Sequence, residues 1–104
     1  MAYSPRHFTS YVNSHRDSIS SLIDLIGNKK LDSSARRSLN RLRTIHDFLG
    51  FALDSGAHKP DAFLALEKLT AKSAGTVAGR RLVLVQVLLN EAHDHQVALL
   101  SALA

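Results

Sequence analysis

The residues of this chain best equipped for chemistry are Glu91, His93, Asp94 and His95, crowded together in "NEAHDHQ". Imidazole and carboxylate are the donors from which zinc assembles three or four convergent ligands. On a helix, Glu91 and His95 stand one turn apart and reach either one ion or each other. Asp94 lies beside Glu91, and His93 points elsewhere. At most Glu91, Asp94 and His95 share a face, so the spacing favours a surface Glu–His pair over a metal centre. The chain has no cysteine, which excludes thiolate ligands, thiol nucleophiles and disulfides. No Ser–His–Asp relay and no pair of opposed carboxylates can be assembled from the pattern. The expectation is a protein that is not an enzyme, with no catalytic residue, no cofactor and no bound metal.

A second cluster is "HDFLG", His46 to Gly50. It resembles part of the pattern of histidine phosphotransfer domains, which are helical bundles of this length with a phospho-accepting His and a Gly four positions on. The resemblance implies His46 as acceptor and Gly50 as the place where a response regulator approaches. It covers five residues. The position that carries a steadying Lys in those domains is Leu49 here, and bulky Phe51 follows the glycine. His46 also falls on an apolar stripe, as a core histidine would. Phosphotransfer is the most distant of three functional readings.

The third cluster is electrostatic. The chain has a net charge of +4, and all of the excess lies in residues 27–46. There Lys29, Lys30, Arg36, Arg37, Arg41 and Arg43 stand against Asp32 alone. Such a basic patch suits a phosphate backbone or an acidic protein surface. No helix-turn-helix follows it, because the next helix opens at Pro60 and carries Asp61 in its first turn. Arginines near a helix N-terminus also oppose the macrodipole, a local cost that suggests some use.

These residues must be positioned by helices. Ser4-Pro5 supplies an N-cap hydroxyl and a proline at the first helical position. Phe8, Val12, His15, Ile19, Leu22, Ile23 and Ile26 then form one stripe, and Gly27-Asn28 predicts a left-handed stop. Asp32 or Ser33 caps a second helix striped by Ala35, Leu39, Leu42, Ile45, His46, Leu49 and Leu53. Arg37 and Asn40 lie opposite that stripe, Arg36 and Arg43 on one flank, and Arg41 on the other. "DSG" at 54–56 ends it. Pro60 opens a third helix with Phe63, Leu66, Leu69 and Ser73 inward. The favoured reading is that Gly75 stops it and Thr76 caps the next; the alternative is one kinked helix in which Gly75-x-x-x-Gly79 allows close backbone approach to a neighbour.

The fourth helix, from Val77 to about Ala102, contains "LVLVQVLL", residues 82–89. Its alternating valines suggest a strand, but no second strand is present to pair with it. As a helix it is apolar all round, broken only by Gln86, and such a helix must be covered all round. Three short partners in one small domain cover it poorly, so a second chain is expected. Leu82, Val85, Leu88, Leu89, Leu99 and Leu103 are the expected protein interface, and the apolar ending "ALLSALA" points the same way. Covering the helix with the chain's own helices is the alternative.

The chain of 104 residues is expected to form a single helical domain, 1–104: all-α, a four-helix bundle completed by dimerisation. The N-terminus lacks the apolar core of a secretory signal. Residues 82–89 fall short of the roughly 20 residues that span a bilayer. A cytoplasmic protein without membrane partners is expected. The leading functional reading is a small regulator that binds itself as a homodimer and captures another protein, for example a transcription factor. In general build it is similar to small helical antiactivators of bacterial transcription factors and to phage-encoded inhibitors, with no shared motif to quote. Nucleic-acid binding through the arginine face is the alternative.

Overall fold

The computed structural model describes residues 5–53, 59–71 and 77–103, with side chains at 7–53, 59–70 and 81–103. Four helices follow in chain order: α1 (Pro5–Ile26), α2 (Ser33–Leu53), α3 (Asp61–Ala71) and α4 (Val77–Leu103). The all-α expectation holds, and α3 and α4 are separate helices. Ser4, residues 54–56, Ser73, Gly75 and Thr76, on which several expected caps and stops fall, lie outside the described residues.

Three helices are long and one is short. α4 has 27 residues, about 40 Å at 1.5 Å per residue, and this sets the 43 Å long axis of the molecule. Ser38 meets His95 and Arg41 meets Glu91, so α2 and α4 are antiparallel. α2 is also antiparallel to α1, to which the 27–32 turn joins it. α1 and α4 therefore run the same way, and the hydrogen bond from Gln86 to the Tyr11 hydroxyl (3.2 Å) sets their register. The short α3 packs on α4. Its Phe63 meets Phe48 and Phe51 of α2 edge-on and tilted, at centroid distances of 5.4 and 5.8 Å. This places α3 at the end of the bundle where α2 finishes and α4 begins.

That placement answers the question raised by residues 82–89. At this end all three other helices touch α4. Leu84, Val85 and Leu88 are buried, and Leu82, Val83 and Leu89 are half-buried. Most of the apolar cover comes from within the chain; of the apolar residues at 82–89 Val87 is exposed, at 39%, and the rest of the stretch does not call for a second subunit. Val85, Leu88 and Leu99, expected at an intermolecular interface, are each 0% exposed and belong to the core. Burying side chains of this size contributes about 1.5–3 kcal/mol each.

The rest of the core follows the expected stripes with local differences. Phe8, Val12, Ile19 and Ile26 of α1 are buried, but His15 is exposed and lies edge-on to Tyr11. On α2 the stripe widens to include Phe48 and Ala52, while His46 keeps partial exposure. On α3 the inward line runs Phe63, Leu66, Thr70. Leu69, expected inside, is 66% exposed. Thr70 takes the buried position because its hydroxyl is satisfied by the carbonyls of Leu66 and Glu67 at 3.0 and 3.1 Å, which removes the penalty for burying it.

Two helix ends differ in detail from the sequence reading. Asp32, not Ser33, caps α2: its carboxylate accepts from the Ala35 amide at 2.8 Å. The left-handed stop at Gly27 does not occur, since no described residue has a positive φ. Instead the Gly27 amide reaches the Ile23 carbonyl at 2.7 Å. A Cβ at Gly27 would sit 2.9 Å from that carbonyl oxygen and 3.4 Å from the Arg43 guanidinium, so the position needs a glycine for closeness.

Candidate functional site

Glu91 projects from the middle of α4 toward α2. Its two carboxylate oxygens receive Nε and Nη2 of Arg41 at 2.5 and 3.0 Å. This is the bidentate fork geometry of a strong guanidinium–carboxylate pair. One turn on, Nε2 of His95 stands 3.7 Å from Glu91, and Nδ1 of His95 is 3.2 Å from the Ser38 hydroxyl. The hydrogen bond from Arg41 is the main cause that holds the Glu91 carboxyl below its ordinary range, against the opposing effect of burial; the charges of Arg41 and His95 add to it. The same bond raises Arg41 above its usual value. His93 and Asp94 are exposed on the outer side. Among the described residues, no three potential ligands converge on a metal position. Arg41, not a metal ion, takes the Glu91 oxygens, and Arg41, Glu91, His95 and Ser38 together act as a polar clasp between α2 and α4.

The clasp also changes the basic patch. Arg41 is consumed by Glu91 and does not belong to a free cationic face. Arg43 turns back toward Gly27 at the end of α1, where a cation complements the C-terminal end of the helix dipole. Lys29, Lys30, Arg36 and Arg37 are exposed, and none of them makes an ion pair among the described residues.

At "HDFLG", His46 lies beside Asp47 at 3.5 Å and is partly covered. The open side of Gly50 is occupied by the chain itself. Arg16 of α1 lies over it, and a Cβ at Gly50 would meet the Arg16 guanidinium nitrogen at 2.9 Å and its carbon at 3.1 Å. Nε of Arg16 donates to the His46 carbonyl at 3.2 Å. The glycine serves an internal contact between α1 and α2, at the place where a phosphotransfer domain would admit a partner.

The exposed apolar side chains lie elsewhere than expected. Val97, Leu100 and Leu103, on the last turns of α4, are 49, 56 and 37% exposed, and Leu25, at the end of α1, is 65% exposed. The register brings them to one place. Leu25 follows Tyr11 by about four helical turns, and Leu100 follows Gln86 by about four turns, with Val97 about three turns beyond Gln86. Tyr11 and Gln86 face each other, so Leu25, Val97 and Leu100 line the upper part of the same α1–α4 seam. α3, at the far end, does not reach it, and α1 and α4 touch only sparsely. Of the expected interface residues, Leu103 alone is exposed. Leu25 and Val97 were missed because sequence counting follows the buried stripe, and they lie off it; Leu100 falls within the apolar ending "ALLSALA" that was expected to be covered.

The fold and these surfaces define a small all-α bundle with an apolar–cationic end. No family model, curated protein or solved structure matches the chain.

Proposed function

We propose that this chain is a non-enzymatic regulator that works by binding another protein, as an adaptor or inhibitor, and that it binds through the upper α1–α4 seam. The observation that carries the reading is that Leu25, Val97, Leu100 and Leu103 are exposed together at one end of the bundle; the other exposed large apolar residues among those described, Leu64, Leu69 and Val87, lie on α3 and the first half of α4, away from it. Apolar side chains gathered on a surface mark places where another molecule is bound. The earlier candidates Val85, Leu88 and Leu99 play no direct part, because reaching them requires opening the bundle.

A photo-crosslinking residue at position 100, in cells of the native host, tests this. The expected result is one dominant protein adduct from position 100 and none from position 88, which lies in the core. Equal adducts from both positions, or none from either, remove the reading.

Nucleic-acid binding is the second reading, favoured by the four exposed cations Lys29, Lys30, Arg36 and Arg37. It predicts duplex binding that weakens steeply with salt and is lost in Arg36→Glu/Arg37→Glu with the seam intact.

A further inference from the structure

Resting on the protein-binding reading, we infer that the partner presents an acidic amphipathic helix, with its apolar face on Leu25, Val97 and Leu100 and its carboxylates beside Lys29 and Lys30. Two independent features select this occupant. The first is shape. The seam is bounded by two parallel helices over their last turns, and α3 occupies only the opposite end of the bundle, leaving room at this end for one more rod. In helix-in-groove docking the bound helix lays apolar anchors three and four residues apart into an apolar groove, and here Leu25 on one wall and Val97 and Leu100 on the other supply that groove.

The second feature is charge. Lys29 and Lys30, in the turn that leaves α1, are exposed at this end; Arg36 and Arg37 open α2 there and are exposed too, with Arg37 on the side of α2 away from its buried stripe. The acidic groups at this end are Asp24, Asp32 and Asp94. Asp32 is engaged in capping α2, and Arg43 adds a further cation against Gly27. The balance is positive. A second copy of the chain, docked about a two-fold axis at this end, would bring these cations against their own equivalents, and like charges across an interface are unfavourable. An acidic partner turns the same charges into attraction.

The test uses the whole chain and a randomised peptide library of about 16 residues, long enough for four turns. Selection on the wild-type chain is followed by counter-selection on Leu100→Asp. The expected outcome is enrichment of peptides with net negative charge and apolar residues at spacings of three and four. Binding of a synthesised winner should weaken about tenfold in Lys29→Glu/Lys30→Glu, as loss of complementary charge implies, and should fall further with added salt. Circular dichroism of each variant confirms that the bundle is intact. Enrichment of neutral or basic peptides, or no enrichment, overturns the inference. So does flotation of the chain with phosphatidylserine vesicles that Leu100→Asp abolishes, since the seam would then serve a lipid surface. A position-100 crosslink to a host protein alongside a failed selection would sink only this inference and leave the broader reading standing.

Discussion

Replacing Glu91 by Gln removes the charge of the α2–α4 clasp while keeping its size. The two Arg41–Glu91 hydrogen bonds, 2.5 and 3.0 Å long, are good ones, but the side chains are 40 and 35% exposed. Solvent screening therefore sets the scale. Exposed pairs contribute about 0.2–1 kcal/mol, and the bidentate geometry places this one near the top, at about 1 kcal/mol. In a domain of this size, that lowers the melting temperature by about 4 °C. The pH dependence is more diagnostic than the size. Arg41 holds the folded-state Glu91 below its ordinary value of 4.5. The contribution is thus fully present above pH 4.5 and is lost as pH falls through the lower folded value. Urea unfolding of wild type and Glu91→Gln should show a gap at neutral pH that closes in acid. A double-mutant cycle with Arg41→Ala should give a coupling of about 1 kcal/mol, separating the pair from the packing of the arginine stem. Equal stability at neutral pH, or a gap that survives at the acid end, would show that the clasp does not act as an ion pair.

Leu88→Ala should cost about 3 kcal/mol, as expected for a fully buried leucine. Its unfolding midpoint should not vary with protein concentration, whereas a residue buried in a dimer would make it do so. Leu100→Ala should stay within about 0.5 kcal/mol of wild type by the same assay. Asp32→Ala should cost about 1 kcal/mol through loss of the α2 cap, visible as a lower melting temperature, with Asp32→Asn retaining most of it. Gly50→Ala gains helix propensity but displaces Arg16, so its effect in wild type should be small. In an Arg16→Ala background it should stabilise by about 0.5–1 kcal/mol, and additivity of the two changes would argue against the Arg16–Gly50 contact.

Much of the architecture was legible because helical spacing writes the core directly into the chain. Ala35, Leu39, Leu42, Ile45 and Leu49 could be read as one buried face, and they are. The cover of α4 was not legible. Counting apolar residues around residues 82–89 shows that cover is needed, but it does not show who provides it. That depends on the short α3 sitting where α2 ends, through Phe63 against Phe48 and Phe51, a long-range fact with no local signature. The candidate sites were harder still. The spacing of Glu91 and His95 correctly suggested that they share a face, but Arg41 comes from 50 positions away and was assigned to a free basic patch. Likewise the glycine of "HDFLG" carries no mark that an arginine of α1 will lie across it. Leu25 and Leu100 are unremarkable singly, and their pairing follows only from the parallel run of α1 and α4.

That parallel run has a mechanical consequence. The start of α1 and the end of α4 lie at opposite ends of a molecule 43 Å long, with both helices directed the same way. A pull applied between those two points runs along the helix axes and loads their contacts with α2 in shear. The Arg16–His46 contact, the Arg41–Glu91 pair and the core between them then bear the load together. Pulling the same bundle from the start of α1 and the end of α2, which lie side by side, would instead peel contacts open one turn at a time. The direction of tension, as much as its strength, therefore decides how readily this chain opens.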